Sequence, residues 1–263
     1  MATQSAPLAF SEFNTDALSS VVLIHGAFDN STSWDCVRPH LNDYHLLVPD
    51  LPAHGRSRKA FPSFSTIQAA DKIADVVRRH GKNGKARIVG LSLGSHVALQ
   101  IITRHPEVVD DDALLTGYNI WSEVNSGVFA SLGWLGARVG DLVPASKAAQ
   151  ETRRDADGCL HLPQPWSFWK ELAGIICTEA WPQPWPARTL IIAAGDGGPA
   201  PVTDRPGSAR KLRDIGLQGN AETVAVWNDK ITHPWPIEKP ELFAETTLAW
   251  FQREPLPEGF VKL

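Results

Sequence analysis

A chain of 263 residues, 43% hydrophobic and 21% charged, can bury roughly three quarters of its unfolded surface without help from disulfides or metal, and that composition excludes a disordered, collagenous or coiled-coil protein. Its 25 basic and 29 acidic residues give a net charge of −4 with no long run of one sign, which argues against nucleic acid and against an anionic membrane surface as partners. Cys36, Cys159 and Cys177 form no C-x-x-C pair, the N-terminal stretch lacks the basic and apolar regions of a signal peptide, and no run reaches the roughly 18 apolar residues of a membrane span, so a reducing, cytoplasmic location is expected.

In chain order, the first strand is expected at SVVLIHG (20–26), followed by a helix over SWDCVRPHL (33–41) and a second strand at YHLLVPD (44–50). A helix over TIQAADKIADVVRRHG (66–81) ends on Gly81 after a basic last turn. The strand ARIVGLS (86–92), the helix GSHVALQIITRHP (94–106) and the strand DALLTGY (112–118) complete the first half. The alternation then breaks. From Asn119 to Pro186 no strand pattern occurs, yet VFASLGWLGARVGDLV and WSFWKELAGIICTEA read as helices. This stretch closes on WPQPWP, whose prolines hold the chain extended. Strands at RTLIIAAGD (188–196) and AETVAVWN (221–228) follow, with helices over SARKLRDIG and PELFAETTLAWFQ. Short β-branched runs alternating with amphipathic stretches predict an α/β fold, a mostly parallel sheet with helices on both faces. The expected organisation is one core made of residues 1–118 and 187–263, interrupted by a helical insertion at 119–186.

The sharpest local signal is Gly90-Leu91-Ser92-Leu93-Gly94, which matches G-x-S-x-G between the strand residues RIV and a helix. Small flanking residues permit a strained strand-to-helix turn that lifts a serine hydroxyl clear of the sheet edge. The helix behind it aims backbone N–H groups at developing negative charge. His25-Gly26-Ala27 ends the first strand, where the N–H of Ala27, paired with that of Leu93, is placed to form an oxyanion hole. His233, in ITHPWPIEKPELF, follows the last predicted strand; a loop there reaches over the carboxyl edge of the sheet.

These segments together resemble the α/β-hydrolase family from about Ser20 to Phe251. HGAFDNSTSW resembles its HG-x loop and first aromatic, in the style of plant methylesterases and hydroxynitrile lyases, and PDLPAHGRS resembles its D-L-x-G-H-G-x-S stretch, with Ala53 where Gly is common. GLSLGS matches the nucleophile elbow, and His233, Glu238 and Pro240 reproduce H-x-x-x-x-E-x-P, with Thr232 in place of Gly. The resemblance implies Ser92 as nucleophile and His233 as general base. The third member in the family follows the strand after the insertion, usually in G-x-x-D. Here Gly195-Asp196-Gly197-Gly198-Pro199 places Asp two residues early. Asp196 is the expected acid, with Asp204 its main rival and Asp229 behind it. His54, Arg56, Ser95 and His96 are read as structural.

A serine nucleophile directs the expectation away from dehalogenase and epoxide hydrolase chemistry, which needs an alkylated carboxylate, and toward acyl chemistry. The resemblance makes residues 119–186 a cap over the site, and six of the ten tryptophans lie there: Trp121, Trp134, Trp166, Trp169, Trp181 and Trp185. Most are expected to form the cap's own core and its seam. Phe28, Trp235 and Trp121 are the candidates for touching substrate. The expected function is hydrolysis of a small hydrophobic or aromatic carboxylic ester or lactone, with no cofactor and no metal, and with a homodimer through the cap left open. Two alternatives share the scaffold: a carbon–carbon bond hydrolase or lyase on the same Ser-His-Asp triad, and a ligand receptor with little turnover.

Overall fold

Strands that carry apolar residues at successive positions must be covered on both faces. Such strands form the middle of the sheet in the computed structural model, which describes residues 6–142, 164–196 and 204–263. The strands are β1 (Phe10–Phe13), β2 (Ser20–Ile24), β3 (His45–Pro49), β4 (Ala86–Leu91), β5 (Val109–Thr116), β6 (Arg188–Ala194), β7 (Val224–Asn228) and β8 (Val261–Lys262). They pair in the order β1-β3-β2-β4-β5-β6-β7-β8. The pairs from β3 through β7 are parallel, whereas β1 and β8 close the two edges antiparallel. Every residue of β2, β3 and β6 is buried. Because side chains alternate along a strand, Val22, Ile24 and Ile88 face one apolar layer while Val21, Leu23 and Val89 face the other.

The first layer holds α1 (Thr66–His80), α2 (Leu93–Arg104) and α5 (Pro206–Gly216); the second holds α7 (Pro240–Gln252). The side chain of Ser65 accepts from Gln68 N–H at the start of α1, which then buries Ala69, Ala70, Ile73, Ala74 and Val77. The predicted boundaries of α1 and α7 hold to within a residue or two. The segment 33–41 does not form an α-helix. It makes two short 3₁₀ turns, Ser31–Trp34 and Arg38–His40. Asn30 caps the first by accepting from Thr32 N–H, and Pro39, without an N–H, interrupts continuation. The edge strands β1 and β8 are too short and too exposed to carry a hydrophobic period, so the sequence did not announce them.

Between β5 and β6 the described residues contain α3 (Ser126–Leu142) and α4 (Trp166–Thr178) and no strand. The two helices pack on each other around Phe129, Ala130, Ala173 and Cys177. Cys159 and the middle of the insertion, 143–163, lie outside the described residues. Among the described residues no helix is long and apolar enough to cross a membrane.

This topology gathers the carboxyl ends of β2, β4, β5, β6 and β7 along one edge, where loops from parallel strands converge. The turn from β4 into α2 demands close backbone contact: a Cβ on Gly94 would lie 2.6 Å from the carbonyl oxygen of His25. Gly94→Ala is therefore expected to lower stability by about 2 kcal/mol, read as a drop in the urea midpoint; an unchanged midpoint would contradict this account of the turn.

Candidate active site

Ser92 sits between the last residue of β4 and the first of α2 with φ 55° and ψ −119°, a conformation that a residue with a Cβ adopts only when its surroundings impose it. The surroundings are on β5 and α2. Ser92 N–H donates to the carbonyl of Thr116 at 2.8 Å, and Ser95 N–H donates back to the carbonyl of Ser92 at 2.8 Å. The Ser95 hydroxyl lies 2.7 Å from the carbonyl oxygen of Gly90 and 2.8 Å from that of Thr116, so one proton is shared between both strands. Ser95 is thus a buried tie as well as a small residue. The first N–H groups of α2, beginning with Leu93, have no partner within the helix and border Ser92.

His233 lies in the loop between β7 and α6 (Trp235–Glu238). Its Nδ1–H donates to Asp204 Oδ1 at 2.5 Å, which leaves Nε2 as the acceptor nitrogen of the ring. Asp204 is 5% exposed, and its carboxylate is held on both oxygens. Oδ1 also accepts from Asn119 Nδ2 at 3.3 Å, and Oδ2 accepts from Ala194 N–H at 2.8 Å, at the end of β6. A Cβ built on Gly117, which has φ +75°, would stand 2.7 Å from His233 Cε1 and 3.4 Å from Ser92 N. Imidazole and elbow therefore flank one point, and only glycine leaves it open.

The carboxylate bonded to His233 is Asp204 and not the expected Asp196. Asp196 is exposed, and its backbone N–H donates to the carbonyl of Ile231 at 2.9 Å, whereas the Nδ1–H of His233 goes to Asp204. Asp204, just before α5, instead docks on Ala194 and so meets His233. Asp229 is also exposed.

The loop after β2 approaches Ser92 from the other side: a Cβ on Gly26 would be 3.3 Å from Ser92 Cβ. Ala27 and Phe28 follow, the latter at φ 64°. Two buried histidines shape this loop. His25 donates from Nδ1 to the carbonyl of Gly26 at 2.8 Å and accepts Leu51 N–H on Nε2 at 3.0 Å. His54 donates from Nδ1 to the carbonyl of Pro52 at 2.8 Å and accepts Phe28 N–H on Nε2 at 3.3 Å. Burial, with the nearby His25 second, pushes the His54 imidazole down to about 3. Below it, burial pushes the Asp50 carboxyl up, but the Arg56 guanidinium at 2.7 Å and Ser31 N–H at 2.8 Å outweigh that and hold it below the usual range. His54 and Arg56 are thus loop supports, as the sequence suggested.

Of the expected substrate contacts, Phe28 is 41% exposed and faces the start of α4, its ring 5.4 Å from Phe168 and 4.6 Å from Trp169. Trp235 is a correction. It is fully buried, donates from Nε1 to Thr116 Oγ1 at 2.8 Å and packs on Phe243 and Phe260, so it braces β5 from beneath. Trp121 is half-buried at the root of the insertion, its N–H donating to the carbonyl of Ile176 at 2.7 Å and its ring under the Arg205 guanidinium. Trp185 belongs to the main core. Nothing in the sequence warned of Asn119, Thr116 or Gly117 beyond a glycine near the end of the predicted strand 112–118, directly after the observed β5. Among the described residues no group of three or more His, Cys, Asp or Glu is placed to hold a metal ion.

A family model described as alpha/beta hydrolase fold matches residues 19–148. An AB hydrolase superfamily protein of Gibberella zeae is 30% identical over 244 residues, covering 92% of this chain and 83% of its own. A thermophilic esterase from Thermogutta terrifontis is structurally similar with a TM-score of 0.69 at 20% identity, covering 94% of this chain and 93% of its own. An N-acyl homoserine lactone degrading enzyme is similar with a TM-score of 0.64 at 22% identity, covering 92% and 96%.

The low position of the His54 imidazole has a thermodynamic consequence. The unfolded state binds a proton at His54 near its ordinary value of about 6.5, while the folded state binds it only near 3. Stability from this group is complete above pH 6.5 or so and declines by roughly 1.4 kcal/mol per pH unit as pH falls toward the folded value. Urea unfolding of the wild type at successive pH values below neutrality should therefore be steeper in pH than that of His54→Gln; equal slopes would refute the buried neutral imidazole.

Proposed function

The chain belongs to the α/β-hydrolase family, and on that premise we propose that it is a serine hydrolase that cleaves a small hydrophobic carboxylic ester or lactone through an acyl-enzyme. The observation that carries this reading is the bond from His233 Nδ1 to Asp204, made beside the strained elbow at Ser92. With Nδ1–H committed to a carboxylate, Nε2 is the basic nitrogen, and it takes the proton of Ser92 Oγ as that oxygen attacks the acyl carbon. The carbonyl oxygen becomes an anion held by the N–H groups of Ala27 and Leu93. Collapse of the tetrahedral species breaks the bond to the leaving oxygen, which receives the proton from His233. Water, deprotonated by the same Nε2, then attacks the acyl carbon, the acid is released and Ser92 recovers its proton. Asp204 stays ionised throughout, fixing the tautomer and stabilising the imidazolium.

Residues 119–186 act as a cap in this reading. Its support is the seating of Phe168 and Trp169, at the start of α4, against Phe28 of the oxyanion loop. These rings would give the acyl group an apolar wall. An esterase and a lactone-degrading enzyme among similar folds agree with the reaction class.

Hydrolysis of p-nitrophenyl butyrate and of a γ-lactone tests the reading. Ser92→Ala and Asp204→Asn are each expected to lower kcat/KM by about 10³-fold or more, the latter because an amide favours the wrong imidazole tautomer. Asp196→Asn is expected to stay within about twofold, as an exposed residue that does not receive the His233 Nδ1–H. Full activity in Ser92→Ala, or cleavage of a β-diketone with esters and lactones inert, would overturn the proposal.

A further inference from the structure

We propose that Asn119 is a positioning residue that sets both the place and the charge distribution of the Asp204 carboxylate; this rests on the triad reading above. Asn119 is 5% exposed and lies three residues beyond the end of β5, where the insertion begins. Both ends of its amide are used. Nδ2–H donates to Asp204 Oδ1 at 3.3 Å, and Oδ1 accepts the N–H of Arg205 at 2.8 Å. One side chain thus grips the carboxylate and the backbone immediately after it.

The neighbours of Asn119 extend the grip. Ile120 N–H donates to Ser208 Oγ at 3.5 Å, on α5, and Arg205 Nη1 donates to the carbonyl of Ile120 at 3.3 Å. The Arg205 guanidinium pairs with Glu123 and covers the ring of Trp121 at 4.6 Å. Trp121 N–H in turn donates to the carbonyl of Ile176 on α4. The strap 119–123 therefore ties the turn carrying the acid to the second helix of the insertion.

Two consequences follow from the hydrogen-bond arithmetic. Without the Asn119 donor the carboxylate keeps Ala194 N–H on Oδ2 and only the imidazole itself on Oδ1, so no group other than His233 fixes where Oδ1 stands. With the donor present, Oδ1 shares its charge between Asn119 and His233, which tempers its pull on the imidazolium. Of the charged groups joined to this unit, His233 comes from the β7–α6 loop. Arg205, at the start of α5, turns its charge to Glu123. Asn119 is thus the neutral group that adjusts the pair.

The test compares wild type, Asn119→Leu and Asn119→Asp. Leu removes both bonds without adding charge, whereas Asp keeps an acceptor for Arg205 N–H, removes the donor to Asp204 and sets a second carboxylate against it. Turnover of a short-chain p-nitrophenyl ester against pH, thermal unfolding, and the downfield proton NMR resonance of His233 Nδ1–H, assigned by its loss in His233→Ala, are read for each. Both variants should lose about tenfold in kcat with KM changed less than about twofold. The acidic limb of the pH profile should move up by about half a unit or more, and the downfield resonance should shift. An unchanged limb and resonance in the folded variants overturn the proposal, as does an activity loss that only tracks the unfolded fraction. Activity retained in Ser92→Ala would defeat the ester-hydrolase reading instead, and the resonance would still decide the role of Asn119.

Discussion

The carboxyl end of β5 is where the constraints on the site converge. Thr116 is fully buried, and its carbonyl receives both the N–H of Ser92 and a share of the Ser95 hydroxyl proton. Its own hydroxyl receives the indole N–H of Trp235. The elbow is thereby pinned from one side and the loop that carries His233 from the other. Gly117, next in the chain, donates to the carbonyl of Ile192 and offers a bare α-carbon where imidazole and elbow come together. The unfavourable backbone of Ser92 is retained because an extended set of buried hydrogen bonds over-determines it.

The polar groups around the loop after β2 follow a complementary logic. His25 and His54 are buried and use both ring nitrogens on backbone groups. Burial that suppresses the charged form makes an imidazole a fixed donor–acceptor pair, a rigid connector between the loop after β2 and the turn after β3. Charge is admitted only beyond them, where buried Asp50 is compensated by the partly exposed Arg56. The loop after β2 is thus shaped by neutral groups, and the carboxylate of Asp204 is held on the Nδ1 side of the His233 imidazole.

The sequence revealed those parts of the site that are local. Ser92 was legible because strand, tight turn and helix are contiguous and demand small residues at fixed offsets. His233 was legible through its spacing to Glu238, and the structure gives that spacing a reason: Thr232 donates its hydroxyl to Glu238 across the short helix. The central strands were legible because burial on both faces leaves unbroken apolar runs. The carboxylate that meets His233 was not, since it is selected by where the chain returns after β6 and not by distance along it. Asp196 sits closer to the strand but is held by Ile231; Asp204 arrives later and docks on Ala194. Trp235 misled for a related reason. It is two residues from His233, yet the His233 ring stands by Gly117 and the elbow while the Trp235 ring lies in the core. Asn119 left no mark at all, because an isolated amide acquires meaning only from partners 85 and 86 residues away.

The most direct measurement is a crystal structure of the protein after reaction with an alkyl phosphonate, whose phosphorus stands in for the tetrahedral acyl carbon. The account predicts phosphorus bonded to Ser92 Oγ, a phosphoryl oxygen within hydrogen-bond distance of the N–H groups of Ala27 and Leu93, and His233 still donating to Asp204. An adduct on another residue, or His233 bonded to Asp196, would contradict it.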